Sequence, residues 1–295
     1  MSGKFFLKLT LTLALLIAVA AGGYFKLEEI SAAKVREAAA RHADLVRVDF
    51  ERALINPFDK SLHVWNMDFR FATGAGCTVR KLEVESLDHE HSLPRYFRGR
   101  IQGVSVPVEF VNLGTLARDF RKMGYEKLDF DLFADYSYED ETKRLSVKSI
   151  NFDGADLCRV SAGFSLGDVS LQGPGISGFI GTSMLDGSLV WQDLSFTEKV
   201  VALSAASEGV RPEVYREKLL ESLQLEMQEA RSLGNGYAEN FYAELIKFLE
   251  KPGRLVVRVE PAEPVPLLYM FMGRSFDELL DLYGITVEAN FYSRK

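Results

Sequence analysis

Histidine and cysteine are scarce in this chain, with four and two respectively in 295 residues. All four histidines, His42, His63, His89 and His91, lie in the first third, so any chemistry that pairs a later nucleophile with a later imidazole is excluded. Two cysteines allow at most one disulfide within the chain. Basic residues are in deficit, 35 against 42 acidic, and no basic stripe appears. A formal charge of −7 argues against sequence-independent nucleic-acid binding, where clustered Lys and Arg replace phosphate counterions. Long apolar runs are missing too, with one exception near the start. No low-complexity linker divides the chain, whose 47% hydrophobic content suffices for a substantial core.

The exception is the uncharged run Leu9–Phe25, preceded by Lys4 and Lys8. Counting Phe5–Leu7, with the Lys8 ammonium snorkelling to the interface, residues 5–25 reach the length of a bilayer span. Ala18-Val19-Ala20 also fits the small-x-small pattern of a cleaved signal peptide. The retained anchor is the expectation for residues 1–26. Both readings export the rest, because the N-terminal positive charges stay in the cytoplasm. The expected localisation is a single-pass inner-membrane protein with its bulk in the periplasm, the alternative being a periplasmic protein released by signal cleavage.

Residues 27–56 are rich in Ala, Glu, Lys and Arg and predict a helical stalk that stops at Asn56-Pro57. The remainder, 57–295, predicts one exported β-rich domain. Strands are predicted over Leu62–Phe71, Val79–Leu87 and Phe97–Val108, followed by a short amphipathic helix through Leu113, Leu116, Ala117, Phe120 and Met123 that stops at Gly124. The stretch Leu128–Leu171 reads as a meander. Leu128, Phe130, Leu132, Ala134, Tyr136 and Tyr138 alternate with polar residues, Phe133 excepted, which gives a strand with one apolar face. Runs over Leu145–Phe152 and Val160–Leu166 follow, with Asp153-Gly154 expected to supply a positive-φ turn. The alternation slips at Lys148-Ser149 and at Leu157-Cys158, which predicts bulges and a curved sheet. Connections this short require antiparallel pairing. A further strand is predicted over Ser188–Phe196. A helical hairpin follows over 211–251, with Pro212 at its start and Pro252-Gly253 at its end, then two strands over Leu255–Val259 and Ile285–Phe291. The fold class is therefore α+β: an N-terminal membrane helix, a curved, mainly antiparallel sheet and a C-terminal helical hairpin.

Chemical motifs are weak. Gly163-Phe-Ser165-Leu-Gly167 matches the nucleophile-elbow pattern, but its surroundings are β on both sides and no histidine follows it. Gly173-Pro-Gly175-Ile-Ser-Gly178 has dinucleotide-loop spacing without the βαβ unit that makes such a loop bind pyrophosphate. His89-Glu90-His91 offers two ligands where zinc needs three or four, and reads as a solvated loop. Asp129, Asp131 and Asp135 read as the wet side of a strand. The expectation is a non-enzymatic protein with no metal and no cofactor. Cys77 and Cys158, in an oxidising compartment, can form a disulfide or remain two buried thiols.

The anchor, Asn56-Pro57-Phe58 leading into strands, Val79-Arg-Lys-Leu-Glu-Val-Glu-Ser-Leu87 and the meander Leu128–Leu171 together resemble bacterial inner-membrane-anchored proteins of the AsmA-like type, over residues 1–200. Phe248–Leu255 and Glu260–Pro266 resemble a pattern of bacterial envelope proteins. The AsmA-like resemblance implies a curved β-groove that handles lipid. The expected ligand is thus a lipid or other apolar molecule, with Phe130, Leu132, Tyr136, Val160 and Phe164 as groove candidates. A competing expectation is an adaptor that docks envelope partners through a sheet edge or the helical hairpin. The expected partners are the membrane through residues 5–25, lipid or envelope proteins, and no nucleic acid.

Overall fold

The computed structural model describes residues 27–40, 43–56, 58–88, 90–91, 93–171 and 181–290. The expected anchor at 1–26 and the Gly173–Gly178 motif lie outside them. Among the described residues no helix is long and apolar enough to cross a membrane. The described chain is α+β, with seven α-helices and eleven strands in which every described pairing is antiparallel. The described residues form two compact units that divide between Asp135 and Tyr136.

In the first unit, α1 (Leu27–Ala40) precedes the meander β1 (Val46–Ile55), β2 (Leu62–Phe71), β3 (Gly76–Leu87) and β4 (Tyr96–Pro107). The expected stalk is therefore half the length read from composition. Val46-Arg-Val-Asp-Phe50 alternates with period two, and its pairing with β2 overrides the helix propensity of the following Glu-Arg-Ala. Helix α1 packs Ala32, Val35 and Ala39 inward, and the buried Ser31 Oγ accepts the Ile55 N–H at 3.3 Å. Beyond β4 lie α2 (Phe110–Leu113) and α3 (Leu116–Lys122), separated by Gly114 at φ 60 and stopped before Gly124 at φ 88. Strand β5 (Lys127–Glu139) carries the chain into the second unit.

A seam crosses all four strands of this meander. Inward-facing residues recur at i and i+3 in each, all buried but the half-buried Phe50: Phe50 and Ala53, Val64 and Met67, Val79 and Leu82, Ile101 and Val104. The pairing register is the same on both sides of the seam. Each strand thus turns two successive residues outward in step with its neighbours. Asn66 at φ 50 and Gly103 at φ 63 absorb the change on β2 and β4. Asn66 donates to Glu51 on the neighbouring strand, and the Gly103 N–H donates to Asp131 at 2.6 Å. A Cβ at Gly103 would lie 2.8 Å from that of Arg80, so glycine is needed for space as well as for φ. Beneath the seam the core is filled: Leu62, Val64, Met67, Phe69, Leu82 and Val104 are at most 1% exposed.

In the second unit, β6 (Arg144–Gly154), β7 (Cys158–Gly167), β8 (Ser183–Asp193), β9 (Arg254–Val259) and β11 (Ile285–Ala289) lie side by side, and β10 (Val265–Pro266) pairs with the start of β8. The expected bulge at Lys148-Ser149 is present between Val147 and Ile150. The slip at Leu157-Cys158 is the beginning of β7, and the other irregularity falls at Ser165/Leu166 against β8. Gly154 does not have a positive φ. A side chain there would meet the Phe152 ring at 2.8 Å and Leu157 Cβ at 3.2 Å, so glycine answers to close packing at this turn. The strand predicted to reach Phe196 stops at Asp193, whose carboxylate accepts the Thr197 N–H and Oγ–H at 2.9 and 2.7 Å and starts a helix that the sequence reading missed, α4 (Phe196–Glu208).

The predicted hairpin is present as α5 (Pro212–Ser232), with Pro212 in its first turn, and α6 (Gly236–Glu250), where Asn235 Oδ1 accepts the Ala238 N–H at 3.0 Å. A 3₁₀ turn (Leu267–Phe271) and α7 (Phe276–Leu282) complete the unit. Helix α6 caps the sheet edge chemically: Asn240 Oδ1 accepts the Val287 N–H at 2.9 Å and Glu244 accepts that of Ala289 at 2.8 Å. Two residues four apart on one helix face thereby occupy donors that would otherwise template another strand.

Candidate functional site: an apolar sheet face

Cross-strand partners share a face, so the register sorts the side chains of the second unit. One row runs Phe152, Val160, Trp191, Leu255, Ala289; the next Ile150, Ala162, Leu189, Val257, Val287; the third Val147, Phe164, Gly187, Val259, Ile285. Without the β6 bulge, Val147 and Ile150 would point to opposite faces. The reverse face carries the Asp153–Arg159 pair at 3.1 Å, the Ser161–Asn151 bond at 2.7 Å and the Arg258–Glu288 pair at 2.9 Å, with Val190 and Val256 among them. Of the three apolar rows only Val147 and Val287 are fully buried; Ile150 is exposed and the rest are half-buried. The helices meet the margins of this face, Phe196 touching the Trp191 ring at 5.9 Å and Ile285 packing against the cluster of Ala230, Ala238, Tyr242 and Leu280. The Trp191 indole Nε1 is shielded from solvent and has no hydrogen-bond acceptor among the described residues.

Of the groove candidates, Val160 and Phe164 lie together on this face. Tyr136 belongs to the same unit and is half-buried. Phe130 and Leu132 belong to the first unit, where Phe130 is 8% exposed and Leu132 half-buried. Sequence reading missed Trp191, Leu255 and Val257, which the register adds. Their signal was available as the alternation Leu189, Trp191 and the run Leu255–Val259, but not the pairing that aligns them.

The disulfide is not formed. Cys77 and Cys158 are free and buried within separate units, and burial pushes the thiols up to about 12 and about 11, far from the range of a reactive thiolate. Ser165 is buried inside β7, and its unit contains no histidine. Asp59, Ser61 and His63 form a hydrogen-bonded chain whose direction is wrong for nucleophile activation. The Ser61 hydroxyl donates to Asp59 at 2.7 Å while its oxygen contacts His63 Nε2 at 3.0 Å, and His63 Nδ1 faces Glu83 at 3.9 Å without a hydrogen bond. A base-activated serine would give its proton to the imidazole.

His89 of the His89-Glu90-His91 pattern lies outside the described residues, and no metal-ligating cluster occurs among those described. His91 Nδ1 instead contacts Asp88 at 2.7 Å, and Asp88 also accepts the N–H groups of Glu90 and Arg95, each at 2.9 Å. Burial pushes the Asp88 carboxyl up, but these donors outweigh it and hold it down at about 2. The stabilisation is complete above the unfolded carboxyl value and is lost as pH falls through the folded one. Between pH 5 and 2 the native chain should therefore lose about 2 kcal/mol that an Asp88→Asn variant does not. Parallel urea titrations at the two pH values check this.

A cavity of about 510 Å³ beside the hairpin loop is lined by Asn235, Asn240, Asp281 and Thr286 among others. Both asparagine oxygens there already accept backbone N–H groups.

The second unit is thus defined as an antiparallel sheet with one polar face, one half-exposed apolar face and a helical edge cap. A family model described as "Uncharacterized protein" matches residues 151–290, within that unit. No curated protein and no solved structure matches the chain.

Proposed function

We propose that the chain is a membrane-anchored protein of the cell envelope that holds a lipid or another apolar ligand, non-covalently, against a curved face of β6–β9 and β11. The observation that carries this reading is the face itself: the core beneath the seam of the first unit is filled by side chains such as Leu82 and Val104, at most 1% exposed, whereas of the three apolar rows in the second only Val147 and Val287 are fully buried. Such a face is unfavourable in water by about 25 cal/mol per Å² and usually marks a binding surface. The uncharged run Leu9–Phe25 supplies the anchor and the export signal, with the AsmA-like resemblance pointing the same way.

The chain has two tryptophans, one per unit. In a Trp65→Phe variant, held in amphipol, emission comes from Trp191 alone. Titration with a brominated fatty acid should quench it saturably, while the Trp191→Phe variant, which retains Trp65, should respond far less. Unchanged Trp191 emission, with no lipid seen by native mass spectrometry of the mildly purified chain, would remove the basis of this reading.

The adaptor reading has one observation in its favour. Leu268, Met270, Phe271, Met272 and Phe276 are all exposed around the 3₁₀ turn, which buries none of its residues. Cross-linking in native membranes that captures a defined envelope partner through this turn, from a chain that retains no lipid, favours it.

A further inference from the structure

In the cap formed by α2 and α3 in the first unit, α2 is built inside out. Its buried side chain is polar: Asn112 accepts the Gly76 N–H at 2.8 Å and donates to the Pro107 carbonyl at 2.9 Å. Its exposed ones are apolar, Phe110 at 73% and Val111 at 41%, joined by Leu116 at 44% at the start of α3, whose own buried residue is Ala117. A helix that only covered a core would show the reverse. Asn112 therefore clamps the turn so that Phe110 and Val111 face outward.

Beside them lies a cavity of about 590 Å³ whose lining includes Phe110, Ala117, Arg118, Arg121 and Lys122, with no carboxylate among its lining residues. Arg121 Nε donates to the Val108 carbonyl at 2.8 Å, which fixes the guanidinium. Among the described residues Arg118 pairs with its half-buried neighbour Asp119, at 3.6 Å, a surface contact worth little in water. Lys122 has no ion pair among the described residues. Three cations thus share the cavity wall with the exposed Phe110 in a chain whose net charge is −7.

We propose that this cap is a bilayer-contact site: Phe110, Val111 and Leu116 enter the interfacial layer while Arg118, Arg121 and Lys122 hold phosphate groups of anionic phospholipid. An exposed aromatic flanked by cations with long apolar stems suits a headgroup layer. The site rests on the first unit alone and stands whether or not the apolar face of the second unit holds a ligand.

The test uses the full chain in lipid nanodiscs, so that residues 1–26 are common to every arm. A nitroxide is placed by Phe110→Cys. The native thiols are buried and do not compete for the label. In discs containing 30% phosphatidylglycerol the nitroxide should be accessible to oxygen and shielded from a nickel complex; in pure phosphatidylcholine it should be solvent-like. Adding Arg118→Gln and Lys122→Gln should weaken the contact roughly 25-fold, about five-fold per charge, and high salt should act in the same direction. Solvent-like accessibility in both lipids overturns the proposal. So does equal shielding in both, which would mean no headgroup recognition, and so does shielding in lipid-free amphipol, which would assign the patch to a protein surface.

Discussion

Phe69→Ala is expected to lower the stability of the first unit by about 3–5 kcal/mol, the usual range for emptying a fully enclosed phenylalanine site. Phe69 is 1% exposed, and its register partners on the same face are the buried Val48 and Cys77. All three belong to β-strands whose backbone hydrogen bonds hold them in place, so the site cannot collapse around the missing ring. Against a domain's margin of about 5–15 kcal/mol the loss is severe. Trp65 reports on this unit, and urea unfolding followed in a Trp191→Phe background should move to lower midpoint by roughly 1–3 M. Phe58→Ala is the matched control. Phe58 is 94% exposed, and its replacement should stay within about 0.5 kcal/mol of the parent. Similar small shifts at both positions would show that the core beneath the seam is not closed.

The strands that sequence revealed are those rich in β-formers and bounded by turn residues, and Leu62–Phe71 is recovered to the residue although the seam interrupts its period-two burial between Val64 and Met67. Composition misled where a strand is rich in helix formers: Glu51-Arg52-Ala53 belongs to β1 because its partners on β2 hold it there. The seam could have been read from the i, i+3 spacing of Val64/Met67, Val79/Leu82 and Ile101/Val104, which recurs strand after strand. Helix α4 was hidden because Leu194 and Phe196 extend the apolar content of β8, one residue out of phase with Leu189 and Trp191, while the residue that ends the strand, Asp193, acts through its side chain. The candidate site was half legible. Val160 and Phe164 share a face because both obey one alternation within one strand. Trp191, Leu255 and Val257 join them only through pairings between strands far apart in the chain, which periodicity does not encode. Phe130 and Phe164, equivalent as in-phase apolar positions, differ in the quantity that matters most here, since one is buried and the other half-exposed.

That difference makes the pair a test of the whole reading. Phe130→Ala should cost about 3–5 kcal/mol, because at 8% exposure its ring is enclosed and its loss leaves a cavity. Phe164→Ala should cost only about 1–2 kcal/mol, since part of its ring already meets water and less apolar area is lost from burial. Its larger effect should fall on binding. Phe164 stands in the third row between Val147 and Gly187, where the glycine leaves the ring unobstructed by a neighbouring side chain. Removing the ring takes apolar contact from a bound acyl chain, and a loss of about 1.4 kcal/mol of contact reads as ten-fold weaker quenching of Trp191 by the brominated fatty acid. Phe130→Ala, measured where the variant remains folded, should leave that affinity within about two-fold of the parent. Stability and quenching measured together on both variants separate the outcomes. If Phe164→Ala loses stability like Phe130→Ala and binding is unaffected, the face is a filled core and the adaptor reading gains; if it changes neither, the register has been assigned to the wrong face; if binding falls while the fold persists, the half-exposed rows are where the ligand lies.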